Sequence, residues 1–94
     1  MIQAFRPRVS ENMTAGAAST VSTNAGKMGD GVVRIIALDQ PIRVAKGATP
    51  TATATSMYLP AGVAEYFLVG DGSKVAVLRA GSTDANVNVT FMTR

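Results

Sequence analysis

Apolar and polar residues alternate with a period of two through the second half of this chain. No window of eleven or more residues sustains the three- and four-residue apolar spacing of a helix. The clearest stretch is "ANVNVTFMTR" at residues 85–94, with Val87, Val89 and Phe91 on one face and Asn86, Asn88 and Thr90 on the other. That is the pattern of a half-buried strand. "VVRIIAL" (Val32 to Leu38) is rich in β-branched residues, and "DQP" separates it from "IRVA" (Ile42 to Ala45), where Ile42 and Val44 share a face and Arg43 points away. These read as two strands joined by a tight connection. "AEYFLV" (Ala64 to Val69) follows "LPAG", in which Pro60 presets a turn and Gly62 takes its tight position. Beyond "GDGS", "KVAVLRA" (Lys74 to Ala80) alternates again, so residues 64–80 read as a hairpin with a four-residue loop.

Between and before these strands the signal weakens. Residues 10–31 hold only Met13, Val21 and Met28 as sizeable apolar groups. So little can be buried there that the segment reads as an arm, a loop or an edge strand that orders on contact. Within it "ASTVSTN" (Ala18 to Asn24) is the best strand candidate. In "MIQAFRPR" the apolar Ile2 and Phe5 stand beside Arg6 and Arg8, with Pro7 keeping the chain extended. It is either a frayed terminus or an arm that docks on a neighbouring subunit. "TPTATATS" places Thr49, Thr51, Thr53 and Thr55 on one face of an extended chain. Threonine's branched Cβ favours a strand, Pro50 suits a strand start or edge, and a linker would use more Gly and Ser. We read it as an edge strand rather than a loop. Glu65 falls among apolar neighbours and is expected to reach solvent from a strand end; the less favoured reading is a buried ion pair.

Short strands with turn signals every eight to twelve residues predict an all-β fold: a small β-sandwich, jelly-roll-like or a partly open barrel, with an extended N-terminal arm. The expected division is residues 1–31 as arm and edge segment and residues 32–94 as the sandwich domain. At 94 residues the core is small, and aromatics are only 5% of the chain, so extra stability from a partner surface is expected. There is no cysteine to staple the fold. No secretory apolar stretch and no run of about 20 apolar residues is present, so neither a cleaved signal nor a membrane span is expected.

The net charge of +3 arises in the first half, where Arg6, Arg8, Lys27, Arg34, Arg43 and Lys46 face Glu11, Asp30 and Asp39. These cations are dispersed and Tyr58, Tyr66 and Phe67 have no basic cluster beside them, which argues against nucleic-acid binding. With neither His nor Cys, the usual general base and the thiolate nucleophile are missing, and four of the acids, Asp30, Asp39, Asp71 and Asp84, sit in turn sequences. An enzyme is not expected. "GDG" occurs at 29–31 and 70–72 without a second carboxylate at calcium-loop spacing, and no phosphate-binding loop is present, so neither a metal nor a cofactor is expected.

The succession "VVRI", "PIRVAKG", "PTATATSMYLPAGVAEYFLVGDGSKVAVLRAGSTDANVNVTFM" resembles the small head decoration, or capsid-stabilising cement, proteins of tailed bacteriophages. The shared pattern is an arginine-valine strand, a small-residue segment, "Met-x-Leu-Pro-x-Gly-x-x-Glu-x-Phe" at 57–67, "Lys-Val-Ala" at 74–76 and "Val-x-Val-Thr" at 87–90. It covers residues 32–92 and leaves the N-terminal segment unmatched. The resemblance implies a virion structural protein, made in the host cytoplasm, that binds the capsid exterior as a dimer or trimer and bridges major capsid protein subunits. Candidate interface residues are Ile2, Phe5, Arg6 and Arg8 of the arm and Thr51, Thr53, Thr55 and Tyr58 of the Thr/Ala segment and the strand after it. The alternatives are another small phage subunit of the tail, neck or head-fibre base, or a carbohydrate-binding β-module using Tyr58 and Tyr66.

Overall fold

A computed structural model describes residues 5–93. Eight strands are present: β1 (Arg6–Ala15), β2 (Thr20–Val21), β3 (Asp30–Ala37), β4 (Ile42–Gly47), β5 (Met57–Leu59), β6 (Ala64–Leu68), β7 (Lys74–Arg79) and β8 (Ala85–Thr93). They form two antiparallel sheets, one in the order β1-β8-β3-β6 and the other β2-β7-β4-β5. The fold is a small β-sandwich with no helix among the described residues.

The alternation in the strands sorts the residues onto faces. From the first sheet Met13, Ala15, Val33, Ile35, Ala37, Val87, Val89 and Phe91 turn inward, and they meet Ile42, Val44, Leu59, Val75 and Val77 from the second. Phe91, Ile35, Ile42 and Leu59 are the largest of the fully buried side chains. Each such Val, Leu, Ile or Phe is worth about 1.5–3 kcal/mol when fully removed from water, and that term joins the layers.

Three expectations are corrected by the pairing. First, β6 and β7 do not form a hairpin: β6 pairs with β3, whereas β7 pairs with β4 and β2 in the opposite sheet. The chain does reverse at residues 70–73, where the Ser73 amide donates to the Gly70 carbonyl at 3.2 Å and Gly72 has φ +83°. Each strand nevertheless has its apolar side toward the core from a different layer. β3 and β4 are likewise joined by a short connection that changes sheet.

Second, residues 49–56 are not a strand. The Ser56 amide donates to the Thr53 carbonyl at 3.0 Å and the Thr53 amide to Ser56 Oγ at 2.9 Å, so side-chain and backbone bonds close a local turn in place of a ladder. This loop leaves β4 beside Lys74, and its Ala52 amide reaches Ser19 Oγ at 2.9 Å, next to β2 on the far side of β7. Its route therefore crosses the outer face of the second sheet. That crossing accounts for the complete burial of Ala76, which points away from the core between Val75 and Val77, and for the 4% exposure of Ala52. The small side chains do allow a close approach, but onto the chain's own sheet.

Third, of the arm, loop or edge strand expected in the N-terminal segment, residues 6–15 are the edge strand and not a free arm: they are continuous with the first sheet. β1 is an edge strand paired with β8 along its length, and Met13 and Ala15 belong to the core. Packing thus shows no break at residues 31–32. Residues 22–26 then run beside residues 70–75: the Ser22 amide donates to the Val75 carbonyl and the Gly26 amide to the Ser73 carbonyl, both at 2.7 Å. This crossover closes the β1/β2 side of the sandwich.

Candidate interaction surface

Two carboxylates and one guanidinium hold the β1/β2 side shut. β1 and β3 both flank β8, and each carries a bulge near the Met92–Thr93 end, leaving Arg8 and Gly31 without a partner in register. A bulge re-aims its side chain. Here it turns Arg8 over the Phe91 ring, 5.8 Å from its centroid, and onto Asp30 through bonds of 2.9 Å from Nε and 2.8 Å from Nη2. Nη2 also donates to the Ala25 carbonyl at 3.0 Å, and Asp30 accepts from the Lys27 amide at 2.8 Å. The Asp30 side chain is 0% exposed. The Arg8 hydrogen bonds, against the opposing effect of burial, hold the Asp30 carboxyl below its usual range, and the same bond to Asp30 raises the Arg8 guanidinium.

Three strand positions further along, Glu11 accepts from the Thr23 amide at 2.8 Å and from the Asn24 amide and side chain at 3.0 Å each. Burial pushes its carboxyl up, but these donors together outweigh it and lower the pKa. Asp39 is lowered chiefly by the Asn86 amide, which donates to it at 2.9 Å. The perturbed acids are thus all occupied with backbone donors. No group of three or more His, Cys, Asp or Glu side chains is placed to hold a metal ion among the described residues.

What the sandwich offers outward is the solvent face of the first sheet. The register aligns Ser10, Thr90, Arg34 and Tyr66 in one row and Asn12, Asn88, Ile36 and Ala64 in the next. A third row runs from Met92 through Val32 to Leu68. On the β1/β8 half, hydroxyl and amide groups bind one another: Ser10 to Thr90 at 2.8 Å, Asn88 to Asn12 at 3.0 Å, Thr90 to Asn88 at 2.9 Å. The β3/β6 half is apolar around Arg34, with Tyr66 57% and Leu68 75% exposed. A shallow depression of about 300 Å³ lies at the polar end, among Asn12, Thr14, Leu38 and Asn86.

The residues singled out from sequence scatter. Ile2 lies outside the described residues; Phe5 and Arg6 are at the Thr93 end of the first sheet, and Arg8 is engaged internally. Thr51, Thr53 and Thr55 are exposed in the loop over the second sheet, where Thr53 and Thr55 share a 3.1 Å hydroxyl bond. Tyr58 stands beside that loop on the outer face, with the Arg43 guanidinium 5.0 Å from its ring centroid. Tyr58 and Tyr66 are therefore on opposite faces of the sandwich and form no common platform. Glu65, with its 65/67/69 alternation, is exposed at the β6 edge, as expected of a strand-end acid.

Val32, Arg34, Ile36 and Leu68, which make this face together with Tyr66, were not singled out from the sequence as an interacting surface. A signal existed: "VVRIIAL" is apolar at both parities, so one face of β3 had to remain apolar outside the core. No protein-family model matches this chain, and neither a curated protein nor a solved structure is significantly similar to it.

Proposed function

We propose that the chain is a non-enzymatic virion structural protein that lies on the outer surface of a phage capsid and stabilises it by bridging major capsid subunits. The observation that carries this reading is the solvent face of the first sheet, half apolar and half amide and hydroxyl, on a rigid two-layer frame. Such a surface suits a broad protein partner, because its apolar centre supplies burial and its polar margin supplies register. The resemblance of residues 32–92 to head decoration proteins supplies the kind of partner. A carbohydrate-binding module is disfavoured by the separation of Tyr58 and Tyr66, since sugar platforms gather their aromatics on one face.

The test is co-sedimentation with capsids of the phage that encodes the chain. The wild-type chain is expected to pellet with capsids and to raise their resistance to heat or chelators. Leu68→Asp, an exposed position whose change leaves the core intact, is expected to abolish pelleting. No co-sedimentation by the wild-type chain, together with unchanged stability of capsids lacking it, overturns the reading.

A further inference from the structure

The two sides of the sandwich are finished differently. β1, the edge of the first sheet on the closed side, carries Pro7, the bulge at Arg8 and the inward-pointing charge of Glu11. These are the devices that keep a sheet edge from pairing with another chain. β2 and β5, the edges of the second sheet, have only two and three residues. β6, the remaining edge, has five residues with no proline, no bulge and no lysine; its one charge, Glu65, shares the inward side with Phe67 but, unlike Glu11, stays exposed.

Its backbone is also correctly set out. The Val69 amide donates to the Gly31 carbonyl, and bonded pairs alternate along an antiparallel ladder. Glu65 and Phe67 thus bond inward to β3, and the N–H and C=O groups of Ala64, Tyr66 and Leu68 point to the open edge. Below this edge the sandwich gapes: Met57, Phe67, Val44 and Lys46 line a cleft of about 100 Å³.

We propose that β6 pairs antiparallel with β6 of a second copy of this chain about a two-fold axis at Tyr66, joining the two first sheets into one eight-stranded sheet. A second copy fits by charge as well as by backbone. In this register Glu65 of one copy stands opposite Phe67 of the other, and Lys46 lines the Phe67 cleft. Among the described residues neither Glu65 nor Lys46 takes part in an ion pair within the chain. The two-fold brings them together twice. Ala64 stands opposite Leu68, a small residue against a large one, and the exposed faces of both copies lie on the same side. The pairing goes beyond the capsid-binding reading, doubling the face it uses.

The chain has no cysteine, so one introduced thiol reports the register. Tyr66 opposes its own copy as a bonded pair with Cα atoms about 5.5 Å apart, within the range a disulfide spans. Tyr66→Cys is expected to cross-link to a covalent dimer under mild oxidation, and Thr14→Cys on β1 is not. In sedimentation equilibrium the wild-type chain is expected to dimerise. Glu65→Lys and Lys46→Glu should each weaken the dimer about tenfold and the double variant should restore it. A wild-type monomer or trimer, equal cross-linking of the two cysteine variants, or no recovery in the double variant each overturns the proposal. All of these measurements use the isolated chain, so they succeed or fail independently of capsid binding.

Discussion

Arg8 and Asp30 meet across a strand that separates them: β8 lies between β1 and β3, and the pair closes over Phe91 at its end. Both bulges fall at this level, one leaving Arg8 and the other Gly31, next to Asp30, outside the register with β8. The ion pair is a lid on the core and a tie to the crossover through Ala25 and Lys27.

Arg8→Ala should therefore lower the unfolding free energy by about 3 kcal/mol, because it strands a buried carboxylate; the quarter exposure of Arg8 keeps the figure at the low end for such pairs. Arg8→Lys should lose less, retaining the charge without the two-pronged bond. Urea unfolding measures both. A loss below about 0.5 kcal/mol for the alanine variant would place the pair with ordinary surface ion pairs.

Acid should weaken the fold in a defined window. Asp30, Glu11 and Asp39 all have lowered pKa values, so the folded chain binds protons less readily than the unfolded one. Their stabilisation is complete above the ordinary carboxylate range of about 4 and is lost as pH falls through and below it. Arg8 remains charged throughout and contributes no slope there. The melting temperature should be level near neutrality and drop below about pH 4, with a smaller drop in Asp30→Asn and Glu11→Gln. A melting temperature that stays level into strong acid contradicts this.

Gly26→Ala should be costly although the residue lies in a loop. A Cβ there would overlap the Gly70 carbonyl oxygen and come within 2.7 Å of Val69 Cγ2, so two backbone segments must separate. The expected loss is roughly 1–3 kcal/mol. Gly81→Ala, with nothing within 4 Å, is the matched control and should change stability by less than about 0.5 kcal/mol. Equal melting temperatures for the two variants would contradict the close approach.

Phe91→Ala should cost about 3–5 kcal/mol by opening a cavity between the sheets beneath Arg8. Calorimetry or denaturant unfolding decides it. A loss well under about 1 kcal/mol would mean that neighbouring side chains collapse into the space.

Alternation in "ANVNVTF" and "KVAV" was enough to locate β8 and β7 and to sort their faces, because side-chain direction in a strand is a local property; β-branched content located β3, whose two apolar parities left its inward side open. The turn at Pro60–Gly62 was legible for the same reason, and Gly62 has φ +80° with its amide on the Ala37 carbonyl. β1 was hidden because its inward positions include Glu11, a charge that only becomes reasonable once the Thr23 and Asn24 amides are in place. Arg8 read as an interface residue of the arm because a bulge cannot be seen without the partner strand that defines it.

Composition and period by themselves determined an all-β chain without the usual catalytic side chains, and they sorted the faces of β4 and β8, whose Ile42, Val44, Val87, Val89 and Phe91 lie in the core. Tertiary structure alone decided which strands pair, that β6 and β7 part into opposite sheets, and that "TATAT" folds back across Ala76 instead of forming an edge. The physical reason is that a period of two tells which way a side chain points but not which backbone lies beside it. Partners are chosen by bonds between residues far apart in the chain, such as Ser19 to Ala52 and Arg8 to Asp30.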